Sequence, residues 1–134
     1  MLGSCLCGQV RYAVSQLDSP IGHCSCRTCR KAHAAAFNSY SSVRLEHFQW
    51  LRGKQLLKSF GSSPGKHRVF CGNCGTHLIA LDAKDSDFVV LRVATLDEDP
   101  GQTPQEHIWA SHEVPWLAYG PTTHAYSERS PDNG

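Results

Sequence analysis

The sequence lacks the features that mark several common protein classes. It contains no apolar run near the roughly 20 residues that a membrane-spanning helix needs. Its 13 Lys and Arg residues are not clustered, and 12 Asp and Glu residues leave a formal net charge of only +1. We therefore expect neither a nucleic acid nor a membrane surface as a partner. Residues 1–10 contain no basic segment followed by an apolar core, so we expect no signal peptide and a cytoplasmic location.

Two familiar hydrolase motifs are absent as well. The sequence has neither the Gly-x-Ser-x-Gly pattern of a nucleophile elbow nor the His-Glu-x-x-His pattern of a zinc peptidase. The acidic residues 97–99 precede Pro100, and we interpret them as a solvated turn. Cysteine is the residue type that clusters instead.

Short segments rich in β-forming residues dominate the sequence, and turn-forming stretches separate them. Residues 27–36 alone are rich in helix formers. We predict an all-β fold with at most one short helix and with strands near residues 10–14, 37–45, 47–51, 56–60, 67–70, 77–81 and 87–96. A chain of 134 residues fits one domain, which we assign to residues 1–126, with residues 127–134 as a disordered tail.

The seven cysteines form three clusters, which are Cys5 with Cys7, then Cys24, Cys26 and Cys29, then Cys71 with Cys74. An odd number of thiols cannot all pair within one chain. A reducing compartment also disfavours disulfides, and clustered thiols in such a compartment indicate metal binding. One rival interpretation is a redox pair at Cys71 and Cys74, but no βαβ pattern surrounds it.

Residues 71–75, Cys-Gly-Asn-Cys-Gly, have the form of a zinc knuckle, in which glycine permits the tight turn. A structural zinc takes four ligands, so a second pair of cysteines is needed. If the group of three stays whole, that pair is Cys5 and Cys7, although ligand counting alone leaves other pairings open.

Cys24, Cys26 and Cys29 can hold a second zinc and leave its fourth position for water or a substrate thiol, as in catalytic zinc sites. We expect Arg27, Arg30 and Lys31 to lower the pKa of these thiols. Arg30 and Lys31 are also our candidates for binding substrate carboxylates. In the alternative, a histidine closes the site and makes it structural, with His33, His77, His107 and His112 as candidates. His23 is a poor candidate, since adjacent side chains diverge on an extended backbone.

The chain resembles the glutathione-dependent formaldehyde-activating enzyme family, which includes centromere protein V. The resemblance is carried by residues 3–12, 24–37, 62–78 and 94–109, in the family's order. It implies a β-tent fold with a zinc-ribbon-like knuckle, a structural zinc on Cys5, Cys7, Cys71 and Cys74, and a second zinc on Cys24, Cys26 and Cys29 near the glutathione site. The family often has glycine where this chain has Ala34, and we expect the added methyl group to narrow the pocket.

The open three-cysteine site and this resemblance together predict a carbon–sulfur lyase. Its substrates would be glutathione, or a similar thiol, and formaldehyde or a related aldehyde. Cys24, Cys26 and Cys29 would then be the catalytic residues, through the zinc that they hold. Two alternatives remain, namely a protein that binds the thiol or its adduct without catalysis, and a zinc-stabilised interaction module.

Overall fold

The computed structural model describes residues 1–117 and 123–129. Within them, strands and one α-helix follow one another as β1 (Leu2–Ser4), β2 (Arg11–Val14), β3 (Gly22–Cys24), α1 (Arg27–His33), β4 (Asn38–Arg44), β5 (Phe48–Arg52), β6 (Leu57–Ser63), β7 (Lys66–Cys71), β8 (His77–Asp82), β9 (Phe88–Arg92) and β10 (Glu106–Ile108). Among these residues, no helix has the length and apolar character required to cross a lipid bilayer.

The strands form two sheets. One has three strands in the order β1-β2-β5, and the other has seven in the order β10-β3-β4-β9-β8-β7-β6. Neighbouring strands run antiparallel, except that β10 pairs with β3 in parallel. The predicted all-β class with one short helix is confirmed, and the two sheets fit the expected β-tent architecture.

The predicted strands correspond to β2 and β4 to β9. The prediction was wrong at Val93–Thr95, where a 3-10 turn follows β9 and the Thr95 hydroxyl donates to the Arg92 carbonyl oxygen at 2.8 Å. It also missed β1, β3 and β10. Each of these has three residues, too few to show an alternating pattern, and each is stabilised by a longer or neighbouring strand.

The apolar core lies between the two sheets. Tyr12 of β2 is fully buried, stacks on Phe48 with ring centroids 5.3 Å apart, and shares a 2.7 Å hydrogen bond with the Thr95 hydroxyl. Val43, Val89 and Leu91 of the larger sheet belong to the same cluster, which also includes Val10, Val14, Val69, Leu78 and Ile79. Fully burying an apolar side chain of this size contributes about 1.5–3 kcal/mol.

The other face of the seven-stranded sheet is polar. Successive side chains of a strand point to opposite faces of the sheet. The residues next to Val43, Val89 and Leu91 in the sequence therefore face away from the core. The residues on this second face include Asn38, Tyr40 and Ser42 of β4, Lys66 and Arg68 of β7, Ala80 and Asp82 of β8, and Val90 and Arg92 of β9. One sheet therefore separates an apolar core from a charged surface.

Ala34 caps the C-terminus of α1 and adopts a left-handed conformation with φ of 49°. In this conformation the Ala34 backbone N–H donates to the Arg30 carbonyl oxygen, as in the common helix C-cap that favours glycine. Ala34 is exposed and does not line the cavity described below. The expectation that its methyl group narrows the pocket was therefore wrong, and the feature of position 34 that favours glycine is its left-handed backbone.

The domain assignment to residues 1–126 stays a prediction. Of the predicted tail, residues 127–129 are exposed, and residues 130–134 lie outside the described part of the chain.

We predict that Ala34→Gly stabilises the metal-loaded protein. Relief of the left-handed alanine conformation is worth about 1–2 kcal/mol, less the entropic cost of glycine in the unfolded chain. The measurement is urea unfolding followed by circular dichroism. Ala35→Gly is the matched control, because Ala35 is exposed and has no positive φ, and it should destabilise by about 0.4–1 kcal/mol. Equal destabilisation by both changes would contradict the C-cap explanation.

Candidate metal centres and the adjoining cavity

Four cysteines from two distant parts of the chain form the first candidate centre. Cys5 and Cys7 follow β1, Cys71 ends β7, and Cys74 lies in the turn before β8. The four sulfur atoms all lie within 4.8 Å of one another. The Sγ atoms of Cys5 and Cys7 are 3.5 Å apart, and those of Cys7 and Cys71 are 3.9 Å apart.

The knuckle turn needs glycine at two positions for two different reasons. Gly75 has φ of 82°, in the left-handed region. Gly72 has an ordinary φ, but a Cβ atom there would lie 2.6 Å from the Leu56 carbonyl oxygen, to which its own N–H donates at 2.8 Å. The turn can therefore close tightly enough for the Cys74 N–H to donate to the Cys71 sulfur at 3.5 Å.

This donor set fits a zinc ion. In a tetrahedral zinc–thiolate centre with bonds of about 2.3 Å, neighbouring sulfur atoms lie about 3.8 Å apart, close to the two distances observed. Burial raises the pKa of Cys5 to about 11. Burial acts in the same direction on Cys74, but hydrogen bonds from Thr76 outweigh it and lower the pKa of Cys74 to about 5. A bound cation would favour the thiolate form of all four residues.

The second candidate centre lies at the start of α1. Cys24 ends β3, Cys26 caps the helix by accepting the Cys29 backbone N–H at 3.3 Å, and Cys29 lies in the first helical turn. Their three sulfur atoms also lie within 4.8 Å of one another. Cys24 and Cys29 are buried, whereas Cys26 is half-buried, so the group is reached from the side of Cys26.

Arg68 of β7 supplies positive charge to this group. Its Nη1 and Nη2 atoms lie 3.9 and 3.8 Å from the Cys29 sulfur. Burial raises the pKa of Cys24 to about 12. Burial also acts against ionisation of Cys26, but the Cys29 N–H, the neighbouring thiols and the charge of Arg68 outweigh it, so that the pKa of Cys26 is lowered. Cys26 therefore ionises more readily than Cys24.

A cavity of about 260 Å³ adjoins the three cysteines. Its floor is the polar face of the larger sheet, including Tyr40, Arg68 and Arg92, and Trp109 lies at its edge. Trp109 is 55% exposed and adopts a left-handed φ of 56°, a strained conformation for a bulky residue. This volume is near the lower end for small-molecule sites, which suits a compact ligand next to the sulfur atoms.

Residues 1–112 match the family described as glutathione-dependent formaldehyde-activating enzyme. The chain belongs to this family. A protein of Halomonas elongata that carries this family's name as a provisional designation is 27% identical over 123 residues, which are 86% of this chain and 78% of that protein. An uncharacterized lyase of Schizosaccharomyces pombe is 28% identical over 76 residues, which are 57% of this chain and 53% of that protein.

A crystal structure supports the fold of this family member. A Rhodobacter sphaeroides protein aligns with a TM-score of 0.64 and 24% identity, over 78% of this chain and 98% of that chain. At this identity the likeness concerns the fold alone.

None of the histidines named as candidates joins the three-cysteine group within the described residues. The Nε2 atom of His107 lies 2.6 Å from the Ser25 hydroxyl. His33 and His77 instead contact each other, with ring centroids 4.8 Å apart. His112 lies beside Cys26 in an adjacent groove without completing the sulfur group. The geometry thus favours a group of three protein ligands over a closed structural site.

The two basic residues assigned to the substrate lie elsewhere. Arg30 is half-buried and its Nε atom donates to the Ser25 carbonyl oxygen at 3.1 Å, whereas Lys31 is exposed and lines a separate groove. Neither lines the cavity beside the cysteines, and neither do residues 34–36, so a role of Arg30 and Lys31 in substrate binding stays a prediction.

The sequence reasoning missed Arg68 and Arg92, the charged residues of the cavity floor. Burial and the nearby charge of Arg68 lower the pKa of Arg92 to about 10, which leaves it cationic at neutral pH. Both residues alternate with apolar residues in strands that were predicted, at residues 67–70 and 87–96. Each arginine lies on the strand face opposite the apolar core, where a charged residue is ordinary, so the strand patterns did not mark them as site residues.

We predict two zinc ions per chain and an unequal effect of losing either site. Cys26→Ser should remove one ion and leave the fold intact, because that group binds within one local segment. Cys74→Ser should prevent folding, since a structural zinc contributes an apparent ~10–16 kcal/mol to the folding free energy of small peptides near neutral pH. Metal quantification after gel filtration, with circular dichroism, tests both. If Cys74→Ser keeps a native spectrum, or wild type holds a single ion, the assignment of the two centres is wrong.

Proposed function

We propose that the protein is a zinc-dependent carbon–sulfur lyase that forms and breaks the adduct of glutathione, or a similar thiol, with formaldehyde or a related aldehyde. One observation carries this proposal. Three cysteine sulfurs lie together beside a cavity, and no fourth side chain of the described residues completes their group. This is the ligand pattern of a catalytic rather than a structural zinc.

The chain's own residues would hold the thiol and its reaction partner in place. Zinc bound by Cys24, Cys26 and Cys29 would supply a centre that favours thiolate over thiol at neutral pH. Arg68 contacts the Cys29 sulfur and offsets part of the negative charge of three thiolates. The cavity floor confines the aldehyde next to the sulfur, and this proximity accounts for most of the expected rate gain.

The reaction balances without a redox step. The sulfur of the substrate forms a bond to the carbonyl carbon, and the π electrons of the carbonyl group move to its oxygen. The proton lost from the thiol ends on that oxygen, through solvent in the open cavity. The product is a hydroxymethyl thioether, and the reverse direction is the lyase reaction.

The identity of the substrates rests on names rather than on geometry. The family description names glutathione and formaldehyde, the Halomonas elongata relative carries the same words, and the Schizosaccharomyces pombe relative is named a lyase. The compact cavity and its cationic floor suit a small anionic thiol. A cytoplasmic location, where glutathione is abundant, stays a prediction.

One observation favours a second candidate, a protein that binds the thiol adduct without accelerating its formation. Three thiolates outweigh the charge of one zinc ion, so the centre would be a weak Lewis acid, and addition of thiols to aldehydes is intrinsically easy. The site residues would be the same in both cases. Only a rate measurement separates them.

We predict that the wild-type protein accelerates the exchange between ¹³C-formaldehyde and S-(hydroxymethyl)glutathione. Exchange NMR at micromolar protein measures the rate directly. Cys26→Ser should abolish the acceleration, because it removes one of the three sulfur ligands. Arg52→Gln, an exposed residue of β5 in the other sheet, is the control and should match wild type. Saturable glutathione binding with an unchanged exchange rate would contradict the lyase function and support the function of a binding protein without catalysis.

A further inference from the structure

The cavity floor carries buried hydrogen-bond donors without partners. Asn38, Arg68 and Arg92 are 5%, 8% and 6% exposed. The Nδ2 atom of Asn38 and the Nε atoms of both arginines have no hydrogen-bond partner among the described residues. Such groups are rare in folded proteins, because an unpaired buried donor costs about 1–3 kcal/mol. Their concentration on one face indicates that a ligand or ordered water completes them.

No carboxylate of residues 1–117 or 123–129 forms an ion pair with either arginine. The ion pairs of the described residues are Met1–Glu98, His47–Asp18, His47–Glu46 and Lys66–Asp82, and Arg68 and Arg92 take part in none of them. The terminal nitrogens of Arg68 point at the Cys29 sulfur. The guanidinium of Arg92 makes no hydrogen bond within the described part of the chain, so it is the group free to bind a ligand in the cavity.

Strand register brings these donors together. Arg68 pairs with Ala80, Ala80 pairs with Val90, and Arg92 follows Val90 by two residues, so both arginines lie on the same face. Tyr40 pairs with Arg92 across β4 and β9, but its hydroxyl already donates to the Glu106 carboxylate at 2.6 Å. The unpaired groups identified on this face are therefore donors, and the matching ligand group is one that only accepts.

We propose that Arg92, with Asn38 and Arg68 beside it, forms an oxyanion subsite that binds a carboxylate of the thiol substrate. A carboxylate accepts hydrogen bonds only, and its two oxygens match the planar fork of a guanidinium. The subsite rests on the proposed function, because it takes the thiol to lie at the three-cysteine group. It makes the specificity of the site one for thiols whose acid group reaches Arg92 when the sulfur lies at the three-cysteine group.

A rival role for the two arginines is to balance the negative charge of the cysteine thiolates alone. The two roles make different predictions for the substrate. Charge balance strengthens the binding of any thiol to the same extent. A carboxylate subsite strengthens only the binding of thiols that carry the acid.

Two thiols of the same length separate these roles, namely 3-mercaptopropionate and 3-mercaptopropionamide. Calorimetric titration of each into the zinc-loaded protein at neutral pH should show the acid binding about 10- to 100-fold more tightly, as expected for a hydrogen-bonded charge pair. The thiol of the amide is slightly the more acidic, so thiol ionisation acts against the expected preference. The comparison within wild type needs no variant and therefore does not depend on whether any substitution folds.

Substitution of Arg92 tests whether this residue causes the preference for the acid over the amide. Arg92→Gln should weaken the binding of the acid by about 10- to 100-fold and leave the affinity for the amide unchanged. Arg92→Lys should keep part of the preference for the acid, because it keeps the positive charge. Zinc content and the circular dichroism spectrum establish that each variant is folded and loaded. Arg52→Gln is the matched control for loss of one positive charge. Arg30→Gln combined with Lys31→Gln tests the competing assignment to the helix.

Each other outcome overturns the subsite. Equal affinity of the wild-type protein for the acid and the amide would show that the carboxylate subsite is wrong. Thiol binding, on which the proposed function depends, would be unaffected. A loss of both affinities to the same extent in Arg92→Gln assigns the residue to charge balance. If the double variant of Arg30 and Lys31 loses the preference for the acid and Arg92→Gln keeps it, the carboxylate binds at α1 and not at Arg92. Failure of wild type to bind either thiol overturns the subsite and the proposed function together.

Discussion

The convergence of four cysteine sulfurs is the constraint on which the rest of the structure depends. Cys5 and Cys7 follow a strand of the three-stranded sheet, and Cys71 ends a strand of the seven-stranded sheet, 64 residues beyond Cys7. An ion shared by these ligands would fix the two sheets to each other. Weaker contacts cross the same gap, namely the hydrogen bond from Tyr12 to Thr95 and the bridge between Gly3 and Leu96. Because such an ion would join the two sheets, metal binding and folding should be closely coupled.

Fixing one sheet to the core face of the other leaves the opposite face free for chemistry. The strands β4 and β9, which present Val43, Val89 and Leu91 to the core, present Tyr40 and Arg92 to the cavity, and β7 adds Arg68. The three-cysteine group stands at one end of this floor, held by β3 and the first turn of α1 rather than by distant segments. On the proposed function, this local three-ligand group would exchange its fourth ligand without loss of the fold, whereas the four-ligand centre would hold the sheets together.

Much of this arrangement could be predicted from the sequence, and the failures have physical causes. Cysteine spacing and the number of ligands that zinc requires predicted the same two groups that the structure shows. These requirements are strict, so they are visible in short sequence motifs. The longer strands were found from their β-forming residues. The cavity floor was not found, because Arg68 and Arg92 meet only through strand pairing, and no local pattern encodes which strands are neighbours. Proximity in sequence suggested Arg30 and Lys31 as basic residues of the site, which stays a prediction, and it did not indicate that Arg68 of β7 contacts the Cys29 sulfur. Ala34 shows the converse error, since a glycine preference next to a site was interpreted as a pocket requirement, whereas the feature of position 34 that favours glycine is its left-handed backbone.

The central claim is that an external thiol becomes the fourth ligand of the three-cysteine group. Zinc X-ray absorption spectroscopy tests it most directly if the sulfur of glutathione is replaced by selenium and the selenol is kept reduced. The account predicts direct zinc–selenium scattering in the wild-type protein, at a level corresponding to half of the bound zinc, and its loss in Cys26→Ser. Saturating selenol with no selenium in the first shell of zinc would contradict the account, and would leave both centres with a structural role only.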